Sequence, residues 1–190
     1  MNSESIVIRM ATADDAKEIL GIYAPYVTDT TVSFEYDIPT VDDFVERMRN
    51  TLTKYPYLVA VLENRILGYA YASTFKNRAA YDWAVEVTVY VHQDFKAKGI
   101  GKKLYSTLEK ILKKQNIINL NACIAYPNPD SVDFHKHMGY KTVGHFTKCG
   151  YKFGTWYDMV WMEKIIGEHL VPPKQFIPII QYLSQNNGQI

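Results

Sequence analysis

The sequence predicts an α/β (α+β) fold built on a mixed, mostly antiparallel central sheet flanked by helices. Three observations carry this. Apolar runs of strand length follow one another closely between residues 57 and 91. Segments with apolar residues at i, i+3, i+4 and i+7 stand on either side of them. Strand and helix patterns then alternate to about residue 162, so antiparallel hairpins come first and βαβ units follow.

Ile6 to Met10 reads as a short opening strand. Thr12 suits an N-cap, and Ala16, Ile19, Leu20 and Tyr23 fall on one helical stripe. A loop of Thr, Asp and Ser leads into Val32-Ser33-Phe34-Glu35. Thr40 with Asp43 resembles a capping box ahead of Val41, Phe44, Val45, Met48 and Leu52, a second stripe. Tyr57 to Leu62 and Ile66 to Ser73, joined by Glu63-Asn64-Arg65, predict a hairpin, and Ala84 to Val91 a third adjacent strand. Gly99 and Gly101 open a helix with Ile100, Leu104, Leu108, Ile111 and Leu112 on one face. A strand over Leu120 to Ala125, a short helix over Pro129 to Met138 ended by Gly139, and strands near Lys141 to Thr147 and Trp156 to Met162 complete the order.

A chain of 190 residues holds one domain with a substantial core. We expect that domain over 1–165 and a C-terminal extension over 166–190, packed on the domain or on a neighbour, with a frayed end. Lys plus Arg (21) nearly cancel Asp plus Glu (20), so no global field favours nucleic acid or an anionic membrane. No apolar run approaches a membrane span of about 20 residues, and the first ten residues lack the pattern of a signal peptide. The expected location is the cytoplasm. Cys123 and Cys149 show no metal spacing and read as reduced, buried thiols. The five histidines form no ligand cluster, so no metal is expected.

The richest segment runs from the strand Val85–Val91 through Lys96-Ala97-Lys98 to Gly99-Ile100-Gly101-Lys102. Glycines at a helix start let the backbone approach a ligand, and the first amides of the helix converge where its dipole favours negative charge. Lysines in a first turn oppose that dipole unless an anion is present. The competing reading is a solvated basic first turn. The pattern is neither the dinucleotide fingerprint nor a triphosphate-binding loop.

Along the preceding strand, alternation puts Val85, Val87, Val89 and Val91 on one face and Glu86, Thr88 and Tyr90 on the other. The valines belong in the core. Glu86 then lies where the sheet is covered, which is costly unless the carboxylate is paired or used. The alternative is an exposed or salt-bridged glutamate.

Lys96-Ala97-Lys98-Gly99-Ile100-Gly101 resembles the [QR]-x-x-G-x-[GA] signature of the GNAT acetyltransferases, with Lys96 in place of Gln or Arg. The element order is similar to the GNAT fold over about residues 5 to 165. The resemblance implies that acetyl-CoA is bound through its pyrophosphate on the amides of residues 96–102. It also implies that the backbone of Val89, Tyr90 and Val91 pairs with the pantetheine arm like an added strand. Asn128 to Tyr140 resembles the second GNAT signature, placing Asn128 and Ser131 against the cofactor arm. Where many relatives have a tyrosine acid, this chain has His135, which is able to donate or relay a proton near neutral pH. An amine acceptor must be neutral to attack a thioester, and Glu86 is the expected general base.

Three further segments are similar to the phosphinothricin and methionine-sulfone acetyltransferase branch: 32–35, Arg78 to Glu86, and Gly150 to Asp158. That resemblance implies a free α-amino acid or analogue as acceptor, and a homodimer. Arg78 suits a carboxylate or phosphinate through two parallel donors, and Phe34, Tyr81 and Trp83 suit the walls of a side-chain slot. A solvated loop charge is the alternative for Arg78. Other readings are a CoA-binding sensor or scaffold without turnover, or acetylation of a peptide N-terminus or a polyamine.

Overall fold

The structure, a computed structural model, describes residues 5–188 and 190. Seven strands form one sheet: β1 (Val7–Met10), β2 (Tyr57–Leu62), β3 (Arg65–Thr74), β4 (Ala84–Val91), β5 (Asn119–Tyr126), β6 (Lys141–Lys152) and β7 (Thr155–Ile165). Their spatial order is β1-β2-β3-β4-β5-β7-β6, and every neighbouring pair is antiparallel except β4 with β5. The helices are α1 (Ala16–Thr28), α2 (Val41–Leu52), α3 (Ile100–Lys114), α4 (Pro129–His137) and a short α5 (Ile179–Gln185). The mixed sheet with flanking helices is the expected architecture.

Local chemistry sets the ends of these elements. Thr40 caps α2 by accepting from the Asp43 amide at 3.1 Å, an interaction worth about 1 kcal/mol. Asn128 caps α4 in the same way through the Ser131 amide at 3.2 Å, with Pro129 at the first helical position, where its missing N–H costs nothing. Both two-residue hairpin turns, Glu63-Asn64 and Phe153-Gly154, have positive φ at each position, as the twist of the flanking strands demands.

The core has two parts, one on each face of the sheet. Val85 and Val87 of β4 pack with Leu58, Leu67, Leu104, Leu108 and Leu120 on the α3 face. On the other face, α1 and α2 cover Tyr57, Val59, Ile66 and Tyr69. Residues 166–188 run back along the α3 face. Ile179 and Tyr182 are buried there, and the fully buried Gln115 donates from Nε2 to the carbonyls of Lys54 (2.9 Å) and Ile177 (2.8 Å).

Two expectations need correcting. The last hairpin is longer than predicted, running to Lys152 and from Thr155, because Gly150 to Thr155 continues the ladder up to a tight turn. β6 is interrupted by bulges between Thr142 and Gly144 and between Phe146 and Gly150. Cys123 and Cys149 are free but exposed rather than buried, since neither α1 nor α2 extends over the β5-β7-β6 part of that face.

Candidate active site

β4 and β5 pair only over Ala84–Glu86 with Asn119–Asn121. Beyond that point β4 runs on to Val91 and β5 to Tyr126, so the strands form a fork and one edge of β4 has no strand partner. Asn121 closes the apex, its Nδ2 donating to the Val85 carbonyl at 3.2 Å.

Beyond the open end of β4 lies the glycine turn. Ala97 (φ 59°) and Gly99 (φ 77°) both adopt the left-handed region. For alanine this is strained, and strain of this kind clusters at functional sites. Gly99 is the N-cap of α3, and the first helical hydrogen bond runs from the Lys103 amide to the Gly99 carbonyl at 3.1 Å. The amides of Ile100, Gly101 and Lys102 therefore precede the helix's own bonding and point outward at its positive end. A Cβ built on Gly99 would meet no atom within 4 Å, so the space in front of this turn is open. Lys96 lies over the Tyr26 ring at 5.0 Å, and Lys98 over Phe95 at 4.6 Å while donating to the Asp94 carbonyl. Lys102 is exposed.

A cavity of about 310 Å³ occupies the fork. It brings together Phe34, Glu86, Val89, Tyr90, Asn128, Ser131 and His135 from the expected site. Glu86 stands opposite Ser73 of β3 and Asn121 of β5, at the apex. Burial raises its pKa above the usual carboxylate range, with Lys76 partly offsetting the rise. Among the described residues no ion pair includes it.

His135 is 4% exposed. Its Nδ1 lies 2.8 Å from the Ser131 carbonyl and its Nε2 3.2 Å from the Tyr105 hydroxyl. A carbonyl only accepts, so Nδ1 carries the hydrogen, and in the neutral ring Nε2 accepts from Tyr105. Burial lowers the His135 pKa from 6.5, so the folded chain resists a proton that the unfolded chain takes up near that pH. Stability from this group is fully present above about pH 6.5 and is lost as the pH falls below it. The drop in thermal midpoint between pH 7.5 and 5.5 is expected to be smaller in His135→Phe than in the wild type. An equal drop would show that His135 does not titrate on unfolding.

Three expected site residues lie elsewhere. Arg78 is exposed on the turn between β3 and β4. Tyr81 and Trp83 line a second hollow of about 470 Å³ with Phe75, Asn119, Glu163 and His169, where Trp83 Nε1 donates to the Lys174 carbonyl at 2.6 Å. The cleft also contains Tyr71, Tyr105 and Met159, and Cys123, expected only as a buried thiol. Strand alternation was available as a signal for Cys123, which lies on the same sheet face as Glu86 and Asn121. Nothing local pointed to Tyr105.

Residues 8–161 match the acetyltransferase (GNAT) domain family. The phosphinothricin N-acetyltransferase of Streptomyces viridochromogenes is 35% identical over 93% of this chain and 96% of its own length. The L-methionine sulfoximine/L-methionine sulfone acetyltransferase of Salmonella typhimurium is 28% identical over 88% of this chain and 98% of its own. A phosphinothricin acetyltransferase from Sinorhizobium meliloti, crystallised with acetyl-CoA, superposes with a TM-score of 0.85 at 31% identity, covering 93% of this chain and 98% of that one. The features described above suit such a donor: an unpartnered β4 edge for an extended arm and a turn of outward amides for a diphosphate. Among the described residues no cluster of side chains is arranged to hold a metal ion, and no helix is long and apolar enough to cross a membrane. The chain belongs to the GNAT family and is an acetyl-CoA-dependent N-acetyltransferase.

Proposed function

We propose that the chain transfers the acetyl group of acetyl-CoA to the α-amino group of a small amino acid or analogue of the phosphinothricin, methionine sulfone or methionine sulfoximine type, by direct attack on the thioester. The observation that carries this reading is Glu86, a half-buried carboxylate of raised pKa at the apex of the strand fork, in one cavity with Phe34 and His135.

The amides of residues 97–102, with Lys96 and Lys102 nearby, hold the diphosphate. Val89 and Val91 turn backbone groups to the free edge of β4 and offer them to the pantetheine arm, with Asn128 and Ser131 on its far side. Those of Tyr90 pair with β3, and the Val91 carbonyl already accepts from the Tyr26 hydroxyl. Glu86 takes the first proton from the acceptor's ammonium and passes it to water. The neutral amine then bonds to the thioester carbon, the carbon–sulfur bond breaks, and nitrogen's second proton is transferred to sulfur. His135 serves that transfer in a relay with Tyr105 rather than as a resting imidazolium, because burial keeps the ring neutral. Phe34 walls the acceptor end of the cleft, whereas Arg78, Tyr81 and Trp83 stand outside that cavity.

Residues 1–165 form the catalytic domain in this reading, and 166–190 an extension packed against it. The protein works in the cytoplasm as a homodimer. Support for the dimer comes from β6, which is exposed along most of its length, and from Phe146, Tyr151, Phe153 and Trp156 on the last hairpin, all open to solvent.

A panel of free amino acids and analogues, assayed by acetyl-CoA consumption beside peptides and polyamines, tests the reading. Saturable turnover with amino acids alone is expected. Turnover confined to peptides or polyamines would replace it, and CoA binding with no turnover on any amine would point to a sensor or scaffold.

A further inference from the structure

Lys152, near the end of β6, is 1% exposed, and a buried lysine normally needs a carboxylate or a metal-like cage to remain charged. This one has a cage of main-chain carbonyls. Its Nζ donates to Val27 at 2.6 Å, to Ser33 at 2.7 Å and to Thr30 at 3.0 Å. An ammonium has three donors, so each is used. Burial lowers the Lys152 pKa, and Glu35 nearby, together with Val27 in the last turn of α1 where the helix presents its negative end, partly offsets that cost.

The three carbonyls belong to the turn that leaves α1 and carries Val32, Ser33 and Phe34 into the cleft. Other contacts join the same two segments. The Tyr36 hydroxyl donates to the Tyr151 carbonyl at 2.6 Å. The Phe34 ring lies over Gly150, where a Cβ would overlap it, and 6.4 Å from the Tyr157 ring. The hairpin tip and the loop thus form one unit, although Lys152 is 125 residues from Val27 in sequence.

We infer that Lys152 is a positioning residue for acceptor recognition. It fixes the Phe34 loop as the wall of the acceptor end, while the glycine turn and first turn of α3 lie outside the three cage contacts. This rests on the amino-acid acceptor proposed above. It separates the cleft into a half that the Lys152 cage controls and a half that it does not. Methionine at 152 would fill the space but leave three carbonyls without donors. Gly150→Ala pushes on the same ring through a different contact and removes none of the three cage bonds.

The test compares wild type, Lys152→Met and Gly150→Ala. For both variants the KM of the best acceptor from the panel is expected to rise about tenfold or more, the scale set by losing charge-assisted bonds or a packed wall. Affinity for acetyl-CoA, measured by calorimetry without acceptor, should hold. Hydrogen exchange of the amides of residues 29–36 should quicken in Lys152→Met and stay slow in Gly150→Ala. An unchanged acceptor KM in folded Lys152→Met, or an equal loss of acetyl-CoA affinity, would overturn the inference. If Lys152→Met does not fold, an unchanged KM in Gly150→Ala does the same. Should the wild type acetylate no amino acid, the acceptor role falls with the proposed function, and unchanged exchange over 29–36 would separately refute the cage as a loop anchor.

Discussion

Replacing Glu86 with glutamine is expected to lower kcat/KM for the acceptor by about 10²–10⁴-fold, the range that a positioned acid–base group contributes. Glutamine has the same shape and sits at the same apex, so acetyl-CoA affinity should be unchanged. The pH profile adds a sign. Burial raises the Glu86 pKa, so kcat/KM of the wild type should fall as the pH drops through a value above the ordinary 4.5 of a glutamate. The gap to the variant narrows on that limb. Stability moves the other way. A carboxylate whose folded pKa exceeds its unfolded one is a burden when ionised, and that burden is relieved as the pH falls through the window between the two values. Glu86→Gln should therefore melt at or above the wild-type midpoint at neutral pH. A variant that keeps its activity but melts lower would make Glu86 a structural residue and remove the general base from the mechanism.

Gly99→Val should weaken CoA binding by about a hundredfold or more, as expected for losing two or so charge-assisted hydrogen bonds to the diphosphate. Two effects combine. At φ 77° a β-branched residue is strained, by about 1–2 kcal/mol even for an ordinary side chain. Its side chain also enters space at the helix N-terminus where a Cβ meets no protein atom within 4 Å. Gly101→Ala is the control. The nearest atoms to its Cβ would be the Phe134 ring at 3.4 Å and the Val89 side chain at 3.9 Å, ordinary contacts, so binding should remain near wild type. Calorimetry well below the thermal midpoint separates lost affinity from lost fold. Retention of full affinity by the valine variant would move the diphosphate away from this turn.

The parts of the site that were legible in sequence are those governed by short-range periodicity. Alternation alone put Glu86 opposite the valine face, and a glycine pair after a strand marked the α3 N-terminus. Asn128 and Ser131 came from the resemblance of residues 128–140 to the second GNAT signature, and in the fold one caps the other's amide. What escaped notice depends on contacts between distant segments. Tyr105 meets His135 across 30 residues and Lys152 meets Val27 across 125, and no window of sequence registers either. The exposure of the two thiols has a related cause. Cys123 and Cys149 occur in strand-like runs, but whether helices cover a given half of the sheet is decided by the lengths of α1 and α2, not by the strands themselves. The course of residues 75–83, a turn between β3 and β4, likewise escapes periodicity, and it leaves Arg78, Tyr81 and Trp83 outside the Glu86 cavity.

β6 stands at the end of the sheet with one side of its backbone open, the geometry that invites uncontrolled polymerisation of strands. Its two bulges answer that danger. They divide the ladder with β7 into runs of at most three residues, Lys141–Thr142, Gly144–Phe146 and Gly150–Lys152. Lys148 stands in the second bulge at φ 48°, its amide held by the Asp158 carboxylate at 2.8 Å. An incoming strand would therefore find no straight stretch long enough to zip onto.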